Sequence, residues 1–221
     1  MFSELIRVTD AGVARMRDRL GRIVTGRAWQ QEQSVIETKG WVRTLCRERG
    51  KIVPGSRREQ GFNTWTNTGR EFNAMSQTLK PDQTRYRSDT IAYLGVGTGL
   101  QTEDPSVVGL VQPIPYVANT FLAAIDHSAT DFPLSPTRTT VRYVRVYTED
   151  QLTFGDTTAV SISEFGLFTN GDPQNGFATS PGRSVTMAVA SQQAPNAYKA
   201  LLEPVEKTNV LEFQVEWEIR Y

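Results

Sequence analysis

Apolar and polar residues alternate without a break over the last eleven residues of the chain. Leu211, Phe213, Val215, Trp217, Ile219 and Tyr221 interleave with Glu212, Gln214, Glu216, Glu218 and Arg220. A side-chain period of two predicts a strand with one buried and one charged face. The three glutamates on the charged face also discourage pairing with foreign strands. The apolar run from Ile91 to Leu94, the mixed run from Val141 to Thr148, and the segments Ala159–Phe168 and Val185–Ala190 predict further strands. Neither face of Val141–Thr148 is purely apolar, so cover on both sides is expected there. Gly166 interrupts the alternation of its segment and suggests a bulge. Pro113 and Pro115 break the apolar stretch Val107–Val117, which suits an edge or a loop. The run TNGDPQN over 169–175 carries strong turn chemistry.

The first ninety residues read differently. Val13, Met16, Leu20 and Ile23/Val24 recur at three- and four-residue spacing, which predicts a helix capped by Thr9 or Asp10. A looser apolar stripe from Ala28 to Arg49 is interrupted by Gly40. It allows a second helix or a strand over Gly40–Cys46. Residues 50–90 are polar and without period, as in a long loop or an extended arm. The expected organisation is therefore a helical and extended arm over 1–90, for oligomerisation or attachment, and a β domain over 91–221. The fold class is mainly β: an antiparallel β-sandwich of jelly-roll type with an N-terminal arm.

Charge and rare residues narrow the chemistry. Residues 1–60 hold 13 Lys/Arg and 7 Asp/Glu, whereas residues 61–221 hold 11 and 17. A basic arm on an acidic body suits contact with a neighbouring copy ahead of contact with nucleic acid. One cysteine, Cys46, permits no intrachain disulfide, and one histidine, His127, argues against many hydrolytic and zinc sites. No apolar run is long enough to span a bilayer, and the start lacks the apolar core of a secretion signal, so no membrane partner is expected.

The candidate motifs resolve to structural readings. Gly95-x-Gly97-x-Gly99 lacks the Lys-Ser/Thr of a phosphate loop and the third glycine of a dinucleotide fingerprint. It reads as a strand ending in a tight glycine turn. Asp126 precedes His127, but no Gly-x-Ser-x-Gly elbow accompanies them. The loop acids Asp126, Asp131, Asp150, Asp156 and Asp172 show no calcium-loop spacing. We therefore expect no catalytic residue, no metal ligand, no cofactor and no enzymatic activity. Trp217 reads as core. Trp29, Trp41 and Trp65 fall in the arm and read as anchors into neighbouring subunits. Arg15, Arg19 and Arg22 would share one side of the first helix. These six residues are the candidate interface.

Three segments taken in order carry a resemblance. They are Ile91-Ala-Tyr-Leu-Gly-Val-Gly-Thr-Gly99 with Glu103-Asp-Pro105, then Ile162-Ser-Glu-Phe-Gly-Leu-Phe168 with Thr169-Asn-Gly171, and finally Lys207 with Val210-Leu-Glu-Phe and Val215-Glu-Trp-Glu-Ile219. Their order and spacing over residues 90–221 resemble small virion proteins of tailed bacteriophages. That resemblance implies a β-sandwich module in a neck, collar, tail or baseplate. It implies a symmetric homo-oligomer docked on neighbouring virion proteins after assembly in the host cytoplasm. A capsid decoration protein or a host-glycan-binding module is the alternative. Exposed aromatics in 61–72 or 113–136 would carry the glycan reading.

Overall fold

A computed structural model describes residues 5–8, 14–17, 23–25, 39–77, 90–126, 128, 129, 131, 140–153, 158–170 and 185–220. The chain divides into two compact units, Met1–Thr38 with Tyr221, and Lys39–Arg220. In the first unit, β1 (Leu5–Val8), β2 (Ala14–Arg17) and β3 (Ile23–Thr25) form an antiparallel sheet in that order. The expected helix over 13–24 is thus corrected to two short strands. Met16 pairs with both Leu5 and Val24 across them.

The second unit is built on one antiparallel sheet. Its strands are β4 (Lys39–Glu48), β5 (Lys51–Ile52), β6 (Arg58–Trp65), β7 (Ile91–Gly97), β8 (Leu122–Ala124), β9 (Thr140–Tyr147), β10 (Ala159–Thr169), β11 (Ala197–Thr208) and β12 (Glu212–Arg220). Two helices, α1 (Asn67–Gln77) and α2 (Met187–Gln192), accompany them. The order across the sheet is β8-β7-β10-β11-β6-β4-β12-β9, with β5 added on β4. The body therefore begins at Lys39 and not at residue 91: β4 takes the strand alternative for Gly40–Cys46, and β5, β6 and α1 occupy much of what the polarity of 50–90 suggested was arm. Val185–Ala190, expected as a strand, lies largely in α2.

Strand β6 turns the corner of the sheet. Its first part pairs with β4, Trp41 opposite Phe62, and its last two residues pair with β11, Ala197 opposite Trp65. Gly61, opposite Val42 at the register shift within the β4-pairing part, has φ +80°, a left-handed conformation that glycine adopts without strain. The two halves of the sheet then curve toward each other, and the outermost strands approach closure. The Asp126 N–H donates to Val144 O at 2.9 Å and the Arg145 guanidinium to Ala124 O at 3.1 Å, bridging β9 to the strand end at β8. The architecture is a nearly closed antiparallel barrel, mainly β as the alternation predicted.

The period-two pattern of β12 fills the interior. Phe213, Val215, Trp217 and Ile219 meet Leu94, Val96, Phe165 and Leu167 from the opposite half. The Phe213 ring stacks near Tyr147 and Phe165, each at 6.2 Å between centroids. Each such fully buried side chain contributes about 2 kcal/mol. A second apolar layer covers the outside of β7, β10 and β11. There Leu110, Leu122, Phe168, Tyr198 and Ala190 of α2 pack together. Strand β10 is thus buried on both faces.

Candidate functional site

The second layer is held down by a buried carboxylate. Glu164 lies on the outer face of β10, directly opposite Gly97 of β7 and Ala200 of β11, and is fully buried. It accepts hydrogen bonds from the backbone N–H of Val111 (3.1 Å) and Gln112 (2.9 Å) and from the Tyr198 hydroxyl (3.0 Å). The segment 109–113 crosses the sheet here. The glycines let it lie flat. A Cβ on Gly95 would meet Leu110 Cδ1 at 2.9 Å. One on Gly97 would fall on the Glu164 carboxylate and within 2.8 Å of Gln112 O. Strand β7 does end within the glycine run, at Gly97, and Gly95, Gly97 and Gly99 are all positions of close approach. The expected bulge is also displaced: Gly166 sits in regular register opposite Gly95, and the irregularity falls between Ile162 and Glu164.

Chemically this cluster is closed. Three donors occupy the Glu164 carboxylate, which is fully buried. Burial and the adjacent Glu164 charge push the Tyr198 hydroxyl well above its ordinary value, so it stays a donor. Glu103 does similar structural service. It takes the Lys199 ammonium at 2.5 Å and the Ala200 N–H at 3.2 Å, while Pro105 O accepts from Asn67 N at the start of α1. The acid–proline segment thereby ties its loop to β11 and to α1.

Lys207 is fully buried on β11 and donates to Glu149 O and Thr208 O, both at 2.8 Å. Burial pushes its ammonium below the ordinary lysine value. Between that lowered value and about 10.4 the unfolded chain binds a proton that the folded one has released, so this group adds stability as pH rises. Lys207→Met should remove that rise. Thermal midpoints of both proteins between pH 8 and 10 should converge at the alkaline end relative to the acid end if the Met variant starts more stable. Parallel profiles would show that Lys207 is ordinary. Burial likewise pushes the Cys46 thiol up, which makes it a poor nucleophile.

The outer face of the other half-sheet is open. Phe62, Trp41 and Glu218 stand side by side across β6, β4 and β12. The Trp41 and Phe62 rings meet at 4.9 Å and 86°. Glu59 accepts from Trp41 Nε1 at 2.5 Å and from Arg43 Nε at 2.6 Å, and Arg43 also donates to Glu216 at 3.0 Å. Burial raises the Glu59 carboxyl, but the Arg43 and Trp41 hydrogen bonds outweigh it and hold the group below its usual range. Gly40, Trp41, Arg43, Glu59, Phe62, Glu218 and Arg220 line a groove of about 580 Å³.

The six candidate interface residues separate. Trp65 is core: it is 6% exposed, packs in the barrel interior and would touch a Cβ on Gly69 of α1. The anchor reading for it is corrected; a tryptophan ending a strand that feeds a helix was the available signal. Trp41 is on the open face. Arg15 belongs to the strand β2, opposite Arg7 and Thr25, and not to a helix. Arg19, Arg22 and Trp29 lie outside the described residues, as does His127. The basic surplus also moves. Residues 1–38 hold six Arg against five acids, while residues 39–60, inside the barrel, hold seven Lys/Arg against two. Sequence reasoning missed Glu59, which sits in a stretch too polar to show a period, and Glu164 as a clamp; Phe62 lies in the 61–72 stretch whose exposed aromatics the glycan alternative invokes. Among the described residues no group of three or more His, Cys, Asp or Glu is placed to hold a metal ion. No helix of the described residues is long and apolar enough to cross a membrane.

No protein-family model matches this chain, and neither a curated protein nor a solved structure matches it.

Proposed function

We propose that the protein is a non-enzymatic structural component of a tailed-bacteriophage virion. In this reading it belongs to the neck, collar, tail or baseplate. It forms a symmetric homo-oligomer that docks neighbouring virion proteins. The observation that carries the reading is the N-terminal unit. Strands of four, four and three residues make a sheet too small to bury a core. Such an element needs another surface to be stable, and a second chain supplies one. The resemblance adds to this in a specific way. Gly95 and Gly97, Glu164, Lys207 and Trp217 mark strand crossings and burial, so they speak for the architecture and not for a reaction.

The boundary at Lys39 changes the test. Removing residues 1–60 would cut β4, β5 and the first three residues of β6 out of the barrel. Removing residues 1–38 leaves the barrel whole. Light scattering should give a discrete oligomer for the full chain and a folded monomer for residues 39–221, with rotationally symmetric rings of the full chain in negative-stain images. Because the first 38 residues are nearly charge-balanced, the oligomer should persist at high salt. Equal masses for the two proteins would overturn the proposal.

A further inference from the structure

We propose that the groove on the open face of β4, β6 and β12 binds a neutral pyranose oligosaccharide. This goes beyond the virion reading and stands without it.

Phe62 is 60% exposed, an unusual placement for a phenylalanine in mid-strand. It is not left to move, because its ring abuts Trp41 at a right angle. Two perpendicular rings form the walls of a corner, and the C–H face of a pyranose packs on such a ring. Glu59 fixes the corner from behind through Trp41 Nε1 and Arg43. The site is therefore pre-organised, which lowers the ordering cost of binding. A groove of about 580 Å³ falls inside the range of small-ligand sites.

The polar lining selects the ligand class. Arg43 and Arg220 are matched by Glu59 and Glu218, so the groove carries no net charge. A phosphate, a sulfate or a nucleic-acid backbone needs a positive surplus, which is lacking here. A ligand bearing many hydroxyls uses donors and acceptors together, and Arg220 and Glu218 offer one of each at the rim. A second protein copy fits poorly: one exposed ring and one half-exposed ring are far short of the apolar area that holds a stable interface.

The test uses the full chain, titrated with maltotriose, cellotriose and chitotriose by calorimetry and tryptophan fluorescence, and screened on an array of bacterial surface glycans. We expect saturable binding of at least one neutral glycan, with a change in emission that Trp41→Phe abolishes. Phe62→Ala should weaken binding by about tenfold, the scale of one lost stacking contact, and leave the thermal midpoint unchanged. Three results would overturn the proposal: no saturable binding to any member of either set, binding to acidic glycans alone, or binding that Phe62→Ala leaves intact.

Discussion

Replacing Glu164 by alanine should cost about 4 kcal/mol and lower the thermal midpoint by roughly 10 °C. Among the described residues the carboxylate is the acceptor for the backbone N–H groups of Val111 and Gln112, and it also takes the Tyr198 hydroxyl. Truncation to a methyl group strands three donors at once, the buried Tyr198 hydroxyl and two part-buried backbone N–H groups. Each stranded donor costs about 1–3 kcal/mol, and the cavity adds to that. Glu164→Gln should recover part of the loss, since one oxygen still accepts while the amide N–H₂ faces other donors. Equilibrium denaturation reads both. A loss below about 1 kcal/mol for the alanine variant would mean that water replaces the carboxylate freely. The crossing segment would then be held by the packing of Leu110 and by its remaining hydrogen bonds to Ala190, Thr98 and Gln101.

Gly97→Ala is the second large effect, about 3 kcal/mol at the upper end of overpacking costs. Glu164 and Gly97 are direct cross-strand partners. A methyl group on Gly97 needs the space of the carboxylate, and Gln112 O closes the other side. The two substitutions therefore should not add. With Glu164 already reduced to alanine, the new methyl group has room on one side. The double variant should lose clearly less than the sum of the single losses. Strict additivity, measured in the same denaturation series, would show that the methyl group is accommodated by movement of the 109–113 segment instead.

These two residues also show what the sequence revealed and what it hid. The strict alternation of β12 was readable because one face is core and the other solvent. Strand β10 was readable as a strand, yet its burial on both faces erased the alternation that would have shown its register. The glycine run looked like a turn because glycine is usually explained by its φ angles. Here it is explained by a neighbouring segment 15 residues further along the chain, information that no local pattern contains. Strand β6 escaped notice for the opposite reason. Its outer face is open and its register shift against β4 falls at Gly61, so it shows few apolar residues to count. The first helix was a coincidence of spacing: Met16 and Val24 are eight residues apart, as on a helix, but they face each other across two strands. The basic first sixty residues looked like an arm because the boundary was set by polarity, and Arg43 is in fact knitted into the barrel by Glu59 and Glu216.

The near-closure of the large sheet bears on how this chain meets others. A strand with a free edge is an invitation to any extended peptide, and many proteins grow or aggregate by accepting it. The Asp126–Val144 bond at the seam between β8 and β9 withdraws that invitation from the barrel. The small sheet is different: β1 and β3 are its outer strands, and each has one side without a partner in that sheet. Among the described residues the edges left for strand exchange are those of β1, β3 and the two-residue β5, so the long strands at the barrel seam meet their surroundings through faces and loops.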